Sequence, residues 1–349
     1  MDDRTGNDAD RKVLAWLEEL LGGTVVRWSR QPRWRPMWFC TVATPDGDHE
    51  VVVRAERGGT PLIFPLDHEM RFFQVMEQQG LPVPHVYGWC DDPRAYAMAA
   101  VSGQAHFDGT PEAHRRQVVD EYLQALAQLH ASPIEPFVEA GITRAASPAD
   151  AAWIGFRRYE DHYRGTKVAP APFMEFVIGW LKRHPIPPSD REAPVVWDSG
   201  QFHHHDGHLV AILDTELGHI GDPMMDLAAW RMRDTVIPFG DFTELYARYE
   251  ELSGRPVDLA AIQWHHLMFT LTNELSMHRE FARPEADTDY MTYAQWISET
   301  NLHAIETLAE YEGVELEPVE IPEPASTPVS AAHSLLSTSL RSLAIDDPY

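Results

Sequence analysis

The chain has 349 residues, enough for about two domains and a core that folds without covalent staples. Its 28 Lys and Arg against 54 Asp and Glu give a formal net charge of −26, which argues against a nucleic-acid backbone or an anionic membrane surface as main partner. Two cysteines, Cys40 and Cys90, cannot form a disulfide framework and suit a reducing, cytoplasmic setting, the acidic start MDDRTGNDADRK does not read as a signal peptide, and no apolar run approaches the roughly 20 residues of a membrane helix.

Residues 8–22 have amphipathic helical spacing, with Asp8 or Asp10 expected as the cap and Gly22-Gly23 as the stop. Three β-like stretches follow, at 24–29, 37–44 and 49–56, the first two flanking a basic, aromatic turn and the last two a PDGD turn. A loop at 58–65 leads to a second helix at 66–80, and two more strands flank a turn at 91–94. After Gly103 the pattern becomes helical. Val118, Tyr122, Leu126 and Leu129 share one face of a helix at 111–132, and further helices are expected at 151–164, 171–184 and from 223 to about 313. Interrupting them, 195–216 reads as a strand, a short loop, a turn at Asp206-Gly207 and another strand. Residues 314–330 carry four prolines and read as an extended linker or strap, and the SAAHSLLSTSLRSLAI stretch that ends at Ile345 has Leu336, Leu340 and Leu343 at amphipathic spacing. That last helix is expected to dock on its own chain or on a second subunit, which admits a homodimer.

These elements give an α+β chain of two lobes: 1–102, a five-stranded antiparallel sheet with one inserted helix; 103–313, mainly helical; and a tail at 314–349. A cleft between such lobes is a natural ligand site.

The acidic residues of 195–231 are the most informative. Asp198 follows one apolar strand and Asp214 ends another, so a hairpin turning at Asp206-Gly207 brings both to its open end. Two carboxylates so placed can hold Mg²⁺, or one can hold the ion while the other takes a proton from an attacking hydroxyl. Asp222 before Pro223 suits a helix cap. The histidines of 203–208 read as a polar turn rather than a zinc site, and His130 as a structural histidine.

The segment LDTELGHIGDPMMDLA resembles the C-terminal-lobe signature of the aminoglycoside phosphotransferase-like family, which has a protein-kinase-like two-lobe fold. RAE at 54–56, LDHEMRFFQVMEQQGLPVPHVYGWCDD, YAMAAVSG and QALAQLHAS extend the resemblance over most of residues 15–310. It implies a Mg²⁺- and ATP-dependent phosphotransferase acting on a hydroxyl of a small molecule, with GTP still open as donor. Asp214 would then bind Mg²⁺, and Asp198 would orient or deprotonate the acceptor. Glu69 would be the glutamate of the family's αC helix, and Arg54 would stand where a phosphate-pairing Lys is expected. Asp226 would brace the catalytic loop. Ala99, Val101 and the rest of 99–103 would form the hinge whose backbone binds adenine.

The sequence departs from the family pattern in three places. The loop reads W-D-S-G-Q rather than H-G-D followed by Asn, so Gln201 is the expected second metal ligand, with His203 as the alternative. Strict positional matching instead puts Ser199 in place of the aspartate. Arg54 replaces Lys. The turn at 29–38 has no glycine, and Arg30, Arg33 and Arg35 offer charge in its place. These departures support a second reading, a noncatalytic or repurposed kinase-like binding protein. Trp153, Tyr159, His162, Tyr163 and the aromatic residues of 263–278 are candidates for an acceptor pocket.

Overall fold

The computed structural model describes residues 7–31, 35–56, 63–186, 192–284 and 290–316. The first helix, α1 (Asp8–Leu21), is capped by Asn7 rather than by Asp8 or Asp10. Asn7 Oδ1 accepts from Asp10 N at 3.0 Å and Asp10 Oδ2 accepts from Asn7 N at 2.8 Å, a reciprocal box in which Asp10 is the third helical residue. Five strands follow, β1 (Thr24–Gln31), β2 (Met37–Thr44), β3 (Gly47–Ala55), β4 (Val86–Asp91) and β5 (Arg94–Ala99), with α2 (Leu66–Gln78) inserted after β3. They pair antiparallel in the order β1-β2-β3-β5-β4, as expected.

Strand alternation decides what each face of this sheet meets. Trp38, Cys40, Val53 and Ala97 pack against Val13, Leu14 and Leu17 of α1. Met37, Val52, Tyr96 and Met98 pack on the other side with Leu66 and Phe73 of α2. Arg54 lies opposite Met37 and Tyr96 in the register, so it shares the α2 face.

The second lobe contains α3 (Glu112–Ala131), α4 (Glu135–Glu139), α5 (Pro148–Ala151), α6 (Ile154–Thr166), α7 (Pro172–Arg183), α8 (Met224–Arg233), α9 (Phe242–Ser253), α10 (Leu259–Thr270), α11 (Thr272–Ala282) and α12 (Tyr290–Glu312). The helical region after 223 is thus five helices rather than one run. It breaks where Pro238 and the left-handed Gly254 (φ +65°) cannot continue a helix. Phe72, Val75 and Met76 of α2 join the same buried cluster as Tyr122, Leu126 and Leu129 of α3, so the inserted helix ties the sheet to the helical lobe.

Two short ribbons interrupt the helices: β6 (Ala193–Val195) with β9 (His219–Gly221), and β7 (Phe202–His205) with β8 (His208–Ile212). The strand expected before Asp198 is short, and the next strand begins at Phe202 rather than after the turn. The first pairs with β9, and the histidines themselves form the hairpin strand. The chain between the lobes is fastened to that hairpin, since Gln104 and His204 exchange backbone N–H···O bonds, each 3.0 Å. Gly103 has φ +105°, and a Cβ there would lie 2.4 Å from His204 O, so the position requires glycine. The proline-rich strap and C-terminal helix expected beyond 316 lie outside the described residues, as does Arg33.

Candidate active site

The sequence places Arg54 at the cleft end of β3 and Glu69 in the first turn of α2, both on the same side of the sheet. Arg54 Nε stands 3.0 Å from Glu69 Oε2, and its Nη2 donates to Asp214 Oδ1 at 2.9 Å and to Glu216 Oε2 at 3.2 Å. Arg35 reaches the same group, pairing with Glu216 and standing 3.8 Å from Glu69 Oε2. Two guanidiniums therefore face three carboxylates across the junction of the lobes. Burial opposes the charge of Asp214, but Arg54, Arg35 and Arg233 overcome it and hold its carboxyl below the ordinary range. Burial pushes Glu69 upward, and Arg54 with Arg35 offsets only part of that. Asp214 itself sits in the left-handed region (φ +53°), a conformation uncommon outside glycine and asparagine.

The hairpin brings Asp198 to the same end. Leu213 N donates to Gln201 O at 3.0 Å, closing the ribbon just before Asp214. Gln201 Nε2 donates to Asp198 Oδ2 at 2.8 Å, and Arg233 of α8 pairs with Asp198 Oδ1 while its Nε donates to Ser199 O at 3.0 Å. Burial raises the Asp198 carboxyl, Arg233 opposes this, and the nearby charge of Asp214 raises it further. Tyr159 of α6 is buried against Trp197, and burial pushes its hydroxyl well above the ordinary range, with the charges of Glu216, Asp198 and Asp214 adding to that.

Beneath the loop lies its brace. Asp226 is fully buried; it accepts from Val196 N at 3.0 Å and from Trp197 N, and meets His130 Nε2 at 2.9 Å. His130 Nδ1 in turn meets Tyr249 OH at 2.7 Å. These bonds hold Trp197 at φ +62° and set the direction in which Asp198 leaves the strand. Tyr122 OH accepts from Gly200 N at 2.7 Å, fixing the far side of the shortened loop.

The donor set suits a hard cation. Asp214 and Asp198 are carboxylates, and Gln201 spends its N–H on Asp198 while keeping an amide oxygen, which is the oxygen chemistry Mg²⁺ takes alongside water and phosphate. No ready-made cluster of three ligating side chains occurs among the described residues.

A model of the phosphotransferase enzyme family matches residues 36–265. The chain belongs to that family. Its fold is shared with a putative aminoglycoside phosphotransferase from Ralstonia eutropha (TM-score 0.63, 19% identity, 88% of this chain and 99% of that one). The choline kinase LicA from Streptococcus pneumoniae is similar to the same degree (TM-score 0.63, 14% identity, 87% and 100%). A thermostable mutant of aminoglycoside phosphotransferase APH(4)-Ia, in ternary complex with ADP and hygromycin B, is somewhat less similar (TM-score 0.58, 13% identity, 85% and 98%). Among curated relatives, acyl-CoA dehydrogenase family member 10 of Mus musculus is 26% identical over 196 residues, 52% of this chain and 18% of that protein. Family member 11 of Rattus norvegicus is 26% identical over 198 residues, 52% of this chain and 25% of the relative. The chain thus spans a quarter or less of the length of these two relatives.

For this phosphotransferase-family chain, the structure brings together Arg54, Glu69, Asp214, Asp198 and Gln201, but it separates Arg30 from them. Arg30 lies opposite Trp38 on the α1 face, where it meets Asp10 at 3.4 Å and covers the Trp38 ring at 5.2 Å. Strand alternation turns it away from the cleft. Ala99 and Val101 border the chain crossing between the lobes, with Ala99 N donating to His85 O and Val101 O engaged by His203 Nδ1 at 3.2 Å. The histidines expected as a polar turn include two buried ones, His203 and His204, which fasten the hairpin to that crossing through Val101 O and His106 O. Sequence reasoning missed Glu216 and Arg233. Signals for both existed: Glu216 lies two residues beyond Asp214, and Arg233 lies seven beyond Asp226, two turns along one helix face.

Proposed function

We propose that this chain is a Mg²⁺- and nucleotide-dependent O-phosphotransferase acting on a hydroxyl of a small molecule, with ATP as the donor we favour over GTP. The observation that carries this reading is the Arg54–Glu69 pair bonded to Asp214 beside Asp198. Arg54 would orient the donor phosphates, and Glu69 keeps its guanidinium aimed across the cleft. Asp214 with Gln201 would hold Mg²⁺, which supplies charge neutralisation for the phosphates when bound. Asp198 would accept the proton of the acceptor hydroxyl as its oxygen bonds to the terminal phosphorus. The bond from that phosphorus to the bridging oxygen breaks, and the nucleoside diphosphate leaves. Arg233 and Gln201 fix the carboxylate of Asp198 for that task.

The test is calorimetric titration of Mg·ATP and Mg·GTP into the wild-type protein and the Asp214→Asn variant, followed by a screen of hydroxylated metabolites for nucleotide-dependent phosphorylation. Saturable binding in the wild type that is lost in the variant supports the reading. Indistinguishable isotherms would remove Asp214 from the site, and no binding in either would favour the noncatalytic alternative.

A further inference from the structure

The turn between β1 and β2 contains no glycine, so bare backbone cannot approach phosphates there as it does in glycine-rich loops. It contributes Arg35 instead, whose side chain is only 6% exposed and crosses to Glu216, 181 residues away in sequence. The three carboxylates that meet Arg35 and Arg54 differ in access. Glu69 is 1% exposed, Asp214 10% and Glu216 30%. An anion entering from solvent therefore reaches the two guanidiniums from the Glu216 side.

We propose that Arg35 and Arg54 form a two-guanidinium seat for the phosphates of the donor, and that the Glu216 carboxylate fills this seat until the donor displaces it. The planar fork of arginine matches a phosphate oxygen pair as well as it matches a carboxylate, so one anion can substitute for the other without moving the cations. Charge points the same way. Glu216 puts a negative charge on the solvent side of the two guanidiniums, where it opposes an entering phosphate. Once Glu216 swings into solvent that charge is gone, and the N–H groups that met it can meet phosphate oxygens. Glu69 and Asp214 remain to hold Arg54 in place. Arg35 thereby performs with a side chain the contact that a glycine loop makes with backbone N–H groups.

This inference rests on the proposed nucleotide-dependent reaction, and the test separates the two. Mg·ATP and inorganic tripolyphosphate are titrated calorimetrically into the wild-type, Glu216→Gln and Arg35→Gln proteins, with circular dichroism to establish folding. Glu216→Gln removes the internal competitor and is expected to tighten both ligands by roughly tenfold, while Arg35→Gln weakens both by a similar factor. The opposite signs matter, because a Glu216 that merely ligated Mg²⁺ would lose Mg·ATP affinity on conversion to Gln. Unchanged or weaker binding by Glu216→Gln, or unchanged binding by Arg35→Gln, overturns the proposal. If Arg35→Gln does not fold, the variant at the exposed edge decides alone. Tripolyphosphate binding that follows the predicted order in a protein that takes no nucleotide would keep the anion seat and refute the phosphotransfer reading. Absence of both ligands from the wild type and from Glu216→Gln would refute both.

Discussion

Asp226→Asn tests whether a single buried carboxylate holds the loop at 196–200 in shape. In the wild type its two oxygens serve the N–H groups of Val196 and Trp197 and the Nε2 of His130, all without solvent. Hydrogen bonds to a charged acceptor contribute about 1.5–3 kcal/mol each, and a buried donor left without one costs about 1–3 kcal/mol. Asparagine keeps one acceptor and turns the other oxygen into a donor, so at least one of the three partners meets N–H with N–H. The expected loss is about 3–5 kcal/mol, a large share of a typical folding stability. Urea unfolding followed by tryptophan fluorescence reads it, because Trp197 and Trp230 are fully buried nearby. Any Mg·ATP binding should weaken with it, since Trp197 would relax from φ +62° and redirect Asp198. A destabilisation under about 1 kcal/mol would show that the loop is shaped by its packing against Trp230 and Phe239 rather than by Asp226.

Two further outcomes concern the same region. Burial lowers His68 and His219 to about 4, so between pH 6.5 and 4 the folded state binds fewer protons than the unfolded state. Stability is full above pH 6.5 and falls through this window by up to about 3 kcal/mol per histidine; denaturant titrations at pH 7.5 and 5 measure it, and a pH-independent midpoint would refute the buried neutral imidazoles. His219→Gln should flatten part of that dependence. Gly103→Ala places a Cβ against His204 O and forces a left-handed alanine, so a loss of about 2–4 kcal/mol is expected, read as a lowered melting temperature; an unchanged melting temperature would refute the tight crossing.

The sheet and the helices before 223 were legible because their apolar positions repeat at intervals of two and of three to four, and because Gly22 and Gly80 mark ends. The partner of the strand before Asp198 was not. β6 pairs with a segment more than twenty residues later, a long-range contact that leaves no local period. The histidines misled for a related reason: they look polar, yet His203 and His204 are buried because backbone carbonyls of the neighbouring segment receive them. Arg30 was placed in the cleft because its turn stands where the resemblance expects the nucleotide loop, whereas the register that sets it opposite Trp38 puts it on the α1 face. Glu216 escaped notice although it stands two residues beyond Asp214, because the arginines it answers, Arg35 and Arg54, are distant in sequence.

The pairing of Gln104 with His204 restricts how this molecule can breathe. A connector bolted to the floor of the ribbon cannot act as a free swivel at that point, so any widening of the mouth must begin at the opposite rim, where Arg35, beside Arg54, reaches across to Glu216. Ligand admission and the breaking of that ion pair would then be a single mechanical event.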